Sequence, residues 1–102
     1  MPREGRTARV RLSGEIDHHS APALRARLDA LIERERPARL ILDFAEVELM
    51  DSSGIGLILG RYRKLKRRGA RLCVQNVSPR IDTVLQLAGL YQVIEKSAGE
   101  GR

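Results

Sequence analysis

The pattern of apolar and polar positions divides this chain into alternating strands and helices. The clearest stretch runs from Leu40 to Arg61, LILDFAEVELMDSSGIGLILGR. Its opening run, Leu40-Ile41-Leu42, is apolar without alternation, as expected of a strand buried on both faces. From Ile55 onward the apolar positions take up helical spacing. Between the two lies Asp51-Ser52-Ser53-Gly54, a cluster of helix-capping residue types. A strand leading through a polar turn into a helix brings free backbone N–H groups and the positive end of the helix dipole together. The working residue is therefore expected at Ser52.

Upstream, Thr7 to Leu12 alternate, with Ala8, Val10 and Leu12 apolar, which predicts a half-buried strand. Ser13-Gly14-Glu15 is expected to break it, leaving Ile16-Asp17 as a short extended piece. A helix follows, with Ser20 as its cap and Pro22 in the first turn, where a missing N–H costs nothing. Leu24, Leu28, Leu31 and Ile32 form its apolar stripe, and Pro37 ends it.

In the helix after Ser52, a projection at 100° per residue puts Ile55, Ile58, Leu59, Tyr62 and Leu65 on the sheet side. Ser53, Gly56, Leu57, Gly60 and Lys64 fall on another face, so Leu57 is expected to point away from the core. Ser53, Gly56, Leu57 and Gly60 then form either a docking patch or a surface for helix packing within the domain, and both readings stay open. Gly69 ends that helix, and Arg71 to Gln75 reads as a strand. Ser78-Pro79 opens a short helix carrying Ile81, Val84, Leu85 and Ala88, closed by Gly89. Tyr91 to Ile94 is expected as a last strand. The elements predict one α/β domain over residues 1–102, with a core of about 7–95 and a frayed tail at 96–102. Its largely parallel sheet has four to five strands packed with helices, the fifth being an extra N-terminal strand.

Composition narrows the chemistry. A chain of 102 residues, 42% hydrophobic and 31% charged, is one globular domain. No apolar run approaches the roughly 18–20 residues that cross a bilayer, and MPREGRTARV has no signal-peptide core, so no membrane partner is expected and the cytoplasm is the expected compartment. The single cysteine, Cys73, lies in Leu72-Cys73-Val74 and reads as a buried structural thiol. The net charge is +6, much of it in the run Arg61, Arg63, Lys64, Lys66, Arg67, Arg68 and Arg71. A solvated helix face accounts for that run. With only Phe44, Tyr62 and Tyr91 available for stacking, nucleic acid is not an expected partner.

Asp17, His18, His19, Ser52 and Ser53 supply the residue types of a hydrolase triad, but no Gly-x-Ser-x-Gly elbow surrounds either serine, and no enzyme is expected. Neighbouring histidines diverge on a regular backbone, and no ligand pair at i and i+4 accompanies them, so no metal site is expected. Gly54-x-Gly56 lacks both the Walker lysine and the Rossmann spacing, and no cofactor is expected.

The run LMDSSGIGLILGRYR, with SGEIDHHSAPALRARL upstream and LQLAGLYQVI downstream, resembles the STAS domain of bacterial anti-sigma factor antagonists, most closely those of the sporulation type. The likeness runs from about Val10 to Ile94. It implies a protein switch. The unphosphorylated antagonist binds an anti-sigma factor, itself an ATP- or ADP-bound serine kinase, which then releases its sigma factor. The sigma factor is thus reached only indirectly. The kinase phosphorylates the first serine of the motif, here Ser52, and a serine phosphatase reverses the step. The resemblance also implies a kinase contact at Asp17, with Gly54 in the same region.

Ser53 is the lesser phosphoacceptor candidate, because its hydroxyl could instead cap the helix. A phosphate at a helix N-terminus is locally tolerated, but a partner closing over it would desolvate a dianion beside Asp51. The expected partner-binding residues are Asp17, Asp51, Ser53, Gly54, Gly56 and Leu57. The alternatives are a STAS scaffold that does not switch and a basic domain associated with nucleic acid.

Overall fold

The computed structural model describes residues 3–97, in which strands and helices alternate strictly. They are β1 (Arg3–Ile16), α1 (Ala21–Glu35), β2 (Pro37–Met50), α2 (Ser52–Lys66), β3 (Arg71–Gln75), α3 (Pro79–Leu87), a 3-10 turn (Leu90–Gln92) and β4 (Glu95–Ser97). The strands form one sheet in the order β1-β2-β3-β4, every neighbouring pair parallel. The sheet is wholly parallel with four strands, and no separate strand precedes β1 among the described residues.

Register explains how one face becomes the core. Ala8, Val10 and Leu12 alternate toward it from β1, with Ala8 opposite Leu40 and Val10 opposite Leu42. Leu40 and Leu42 in turn sit opposite Leu72 and Val74. On this face Leu28 and Ile32 of α1, Ile58 and Leu65 of α2, and Ile81 and Leu85 of α3 join the strand residues in one apolar cluster. Burial of that cluster supplies the main driving force for the fold.

The opposite face is polar. Asp43 is only 2% exposed there. Its carboxylate takes Arg9 Nη2 at 2.9 Å, Asn76 Nδ2 at 3.0 Å and the Ala45 N–H at 2.9 Å. Burial pushes the Asp43 pKa up, but the Asn76 amide, the Ala45 N–H and the Arg9 charge outweigh it and hold the carboxyl below the usual carboxylate value. Cys73, on the same face, is fully buried beneath Arg39, whose Nε donates to Sγ at 3.0 Å. Burial raises this thiol's pKa, which fits an inert structural cysteine.

Four local expectations are corrected. First, β1 does not end at Ser13; it runs on to Ile16, because β2 is equally long and keeps pairing with it as far as Met50. Gly14, at φ 76°, and the adjoining register shifts absorb extra residues of β2 instead of breaking the strand. Second, Ser20 makes no side-chain cap bond to α1, since its own backbone is already helical. Asp17 does the capping: its Oδ1 accepts from the N–H groups of His19 at 2.9 Å and Ser20 at 3.0 Å. Ser20 Oγ turns back to accept from Asp17 N at 3.0 Å and to donate to Glu15 O at 2.8 Å.

Third, Tyr91 to Ile94 is not a strand. Gly89, at φ 74°, ends α3, and the Leu90 carbonyl then accepts from both Val93 and Ile94. Leu90 and Ile94 are four residues apart and both enter the core, a helical spacing rather than an alternating one. The strand comes later, at Glu95–Ser97, pinned by Lys96 to Asp82 at 2.9 Å, so the expected frayed tail begins too early; residues 98–102 lie outside those described.

Fourth, the basic run is not one solvated face. Arg61 is 7% exposed and pairs with Asp29 at 2.9 Å, while Lys64 and Arg68 pair with Glu33. Three of the seven cations are thus engaged with acids of α1.

The buried cluster around Asp43 makes a testable contribution to stability. Asp43→Ala should lower the unfolding free energy by about 2 kcal/mol at pH 7, because Arg9 and Asn76 lose their acceptor. A depressed carboxyl pKa stabilises the fold above about pH 4, the unfolded carboxylate range, and that stabilisation is lost as pH falls through the folded value. Urea unfolding at pH 7 and at low pH should show the difference between wild type and variant shrinking on acidification; a constant difference contradicts the assignment.

Candidate functional site

The C-terminal ends of β1 and β2 meet the N-terminus of α2. Ile16 lies opposite Met50, and the next residue, Asp51, donates its N–H to the Ile16 carbonyl at 3.0 Å. Asp51 is extended (φ −101°, ψ −169°) and its carboxylate accepts from Ser53 N at 2.8 Å, so it is the N-cap of α2. The cap is the Asp51 carboxylate rather than the Ser53 hydroxyl. Ser52 is the first residue of α2 and is exposed, and among the described residues nothing hydrogen-bonds its hydroxyl.

Gly54 is buried, and the reason is spatial. A Cβ there would lie 2.3 Å from Met50 Cγ and 2.4 Å from Met50 Sδ, with Ile16 Cγ2 at 3.3 Å. Its missing side chain serves packing within the chain: a Cβ there would displace the Met50 side chain from the start of α2. Gly56 and Gly60 are different, since a Cβ at either would meet nothing within 4 Å.

Leu57 does not point away from the core. It is 5% exposed and belongs to the apolar cluster, while Ile55, Leu59 and Tyr62 are only partly buried. The expectation considered one neighbour for α2, but the helix has two, the sheet and α1. Its buried residues, Gly54, Leu57, Ile58, Arg61 and Leu65, trace a stripe rotated toward α1. Helix packing therefore claims Leu57, yet the groove above it stays open. This groove of about 430 Å³ runs between the helices and is lined by Ala21, Pro22, Arg25, Gly56, Gly60 and Arg61, with Leu57 in its floor and His18 and Ser53 also on its wall.

Asp17 and Asp51 line a separate shallow depression of about 340 Å³ together with Met50 and Leu49, an apolar side chain left 43% exposed. The six expected contact residues thus divide into Asp17 and Asp51 on one side of Ser52, Ser53, Gly56 and Leu57 on the other, and Gly54 buried beneath. The Asp17 carboxyl pKa is lowered, first by the Ser20 N–H and then by that of His19, so this acid is ionised at neutral pH. Sequence reasoning gave no role to Arg25, Leu49 or Arg61. Leu49 could have been found as an apolar residue just before the polar motif, and Arg61 as a cation at stripe spacing from Leu57 and Ile58.

The His18 and His19 rings contact each other with centroids 4.0 Å apart, tilted 38°, because the Asp17–Ser20 turn is irregular. The expected divergence does not occur. Among the described residues, no group of three His, Cys, Asp or Glu side chains could hold a metal ion, and no helix is long and apolar enough to cross a membrane.

The STAS domain family matches residues 1–100, and the chain belongs to that family. It is 38% identical over 85 residues to the anti-sigma F factor antagonist of Paenibacillus polymyxa, covering 83% of this chain and 73% of that relative. The solved structure of the anti-sigma factor antagonist SpoIIAA in its unphosphorylated form superposes with a TM-score of 0.78 at 36% identity, over 90% of this chain and 80% of the other. The phosphorylated form of the Bacillus cell fate determinant SpoIIAA gives 0.70 at 36% identity, over 90% and 83%.

The glycines of α2 separate two roles by their effect on stability. Gly54→Ala should cost about 1–3 kcal/mol through overpacking against Met50. Gly56→Ala and Gly60→Ala should each add about 0.5–1 kcal/mol from helix propensity alone. Chemical denaturation of the three variants checks this. A stabilising Gly54→Ala, or a destabilising change at both open glycines, contradicts the assignment.

Proposed function

We propose that this chain is an anti-sigma factor antagonist, a protein that works by binding a partner and is switched off by phosphorylation at Ser52. The observation that carries the reading is the state of Ser52 itself: an exposed hydroxyl with no hydrogen bond among the described residues, at the first position of α2. A free hydroxyl on a protruding helix start is an accessible acceptor for a kinase. Nothing hydrogen-bonded to it would draw off its proton, so it is built as a substrate rather than as a nucleophile. The kinship with anti-sigma factor antagonists, and with SpoIIAA known in both phosphorylated and unphosphorylated forms, supports the same reading.

The partner is an anti-sigma factor serine kinase, which supplies phosphate from ATP; a serine phosphatase resets the switch, and the sigma factor is affected only through the kinase. The antagonist itself catalyses nothing and acts in the cytoplasm. The partner's footprint covers Asp17 and Asp51 on one side of Ser52 and Ser53, Gly56 and the rim above Leu57 on the other. Gly54 contributes from below by setting how closely α2 approaches the strand ends.

Phosphorylation adds about −1.5 to −2 charge at neutral pH. The N-terminus of α2 tolerates that charge, so the fold persists. A partner pressed over Ser52 would have to desolvate a dianion beside Asp51 and near Asp17, and this costs on the order of several kcal/mol without a matching cation. The engagement of Arg61, Lys64 and Arg68 by acids of α1 weakens the alternative of a nucleic-acid surface.

Intact mass and site mapping after incubation with ATP and the cognate anti-sigma factor kinase test the site. One phosphate on wild type and on Ser53→Ala, with none on Ser52→Ala, is expected. A phosphate that persists on Ser52→Ala, or none on wild type with an active kinase, refutes it.

A further inference from the structure

Two features of α2 have no explanation among the described residues. A glycine weakens a helix interior relative to alanine, yet Gly56 and Gly60 face open space where a side chain would fit. Arg61, one residue on, is 7% exposed, but its guanidinium makes no hydrogen bond among the described residues. Its Nε lies 2.9 Å from Asp29 Oδ1 as an ion pair, without the alignment of a hydrogen bond, and Nη1 has no hydrogen-bond partner among the described residues. A guanidinium so nearly withdrawn from water is normally saturated with acceptors.

These features share one groove. Gly56 and Gly60 line it beside Leu57, Pro22 and Arg25 line it from α1, and Arg61 follows Gly60 along α2. Burial lowers the Arg61 pKa, Asp29 opposes that, and the Arg25 charge lowers it further. Lys64, 3.8 Å from Asp29, adds a third cation nearby. The near end of the groove is Ser53, next to the phosphoacceptor. Eight residues of helix separate Ser53 from Arg61, a span of about 12 Å.

We propose that the α1–α2 groove receives a segment of the anti-sigma factor kinase whose carboxylate side chain pairs with Arg61 and Arg25, fixing the partner's register over Ser52. The proposal rests on the partner-switch reading and adds to it a specific contact. Each property of the groove follows from that occupant. The glycines let partner backbone approach the helix closely, Leu57 and Pro22 offer it an apolar bed, and an incoming anion supplies the acceptor that Asp29, ion-paired with Nε, leaves Nη1 without. A carboxylate matches the guanidinium fork, and the groove is continuous with the surface that the kinase must cover to reach Ser52. Partner affinity is thereby set on both sides of Ser52, by the acids Asp17 and Asp51 on one and by a cationic groove on the other.

Calorimetric titration of the cognate kinase into wild type, Gly60→Leu, Arg61→Met and Arg63→Ala tests this, with thermal unfolding of each variant as the control for folding. Arg63 is exposed and lies outside the groove. Gly60→Leu fills the groove, and Arg61→Met removes its charge at similar volume. Each should weaken binding about thirtyfold or more at an undiminished melting temperature, while Arg63→Ala stays within about threefold of wild type. Binding by Arg61→Met should also depend less steeply on salt. Wild-type affinity in both groove variants, with Ser52 still phosphorylated, overturns the groove contact and leaves the switch intact. Loss on Gly60→Leu but not on Arg61→Met overturns the carboxylate pairing. Absence of any complex with wild type overturns both readings.

Discussion

The geometry of the site depends on one close contact. Gly54 meets the Met50 and Ile16 side chains where a Cβ would displace that of Met50. That contact fixes how near α2 begins to the ends of β1 and β2, and the Asp51 N–H to Ile16 carbonyl bond holds the same junction from the backbone. Asp51 then falls where its carboxylate caps Ser53, Ser52 becomes the first helical residue, and its hydroxyl is left in solvent. The register shifts around Gly14 belong to the same construction, since they let β1 keep pace with β2 until Ile16 faces Met50. Asp17, the next residue, starts the turn into α1 and so stands on the same rim.

A rigid junction of this kind suits a switch that changes charge rather than shape. The positive end of α2 and its free N–H groups receive an added negative group without rearrangement, so phosphorylation need not disturb the strand ends beneath it. What changes is the surface that a partner must dehydrate. Two acids, Asp17 and Asp51, already flank Ser52, and the α1–α2 groove beside it carries Arg25 from α1 and Arg61 from α2, the latter about 12 Å along the helix from Ser53. The charge pattern varies along α2, with acids beside Ser52 and, beyond the glycines, cations paired with acids of α1. It favours a partner of complementary pattern and makes a phosphate at Ser52 costly in the complex.

Much of this was legible in the sequence because the signals were local. Apolar runs and capping residues marked the junction of β2 and α2, and the order of alternating elements implied a parallel sheet. The failures came where tertiary partners decided. Gly14 has the type of a strand break, but β2 keeps pairing past it and carries the extra residues of the register shifts on either side. Leu57 looked exposed because a helical projection knows one buried side, whereas α2 packs against both the sheet and α1. Ser20 stands nearest the helix start, but Asp17 is an equally good cap type and its carboxylate reaches the N–H groups of two successive residues. The expected strand at Tyr91 to Ile94 overlooks that Ile94 lies four residues after Leu90, a spacing that belongs to a turn of helix. At the site, residue types located Ser52 and Asp51, but the groove with Arg25 and Arg61 depends on two helices distant in sequence, and no local pattern encodes it.

The central claim is that phosphorylation at Ser52 blocks partner binding through interface electrostatics while the fold stays the same. The most direct measurement is a backbone amide NMR titration of the anti-sigma factor kinase into the unphosphorylated protein and into its Ser52 phosphoform. The account predicts that the two free forms differ in chemical shift only around residues 51–57, and that the phosphoform binds about a hundredfold or more weaker. Shift changes spread through β1, β2 and the core of α2, or equal affinity of the two forms, would contradict it.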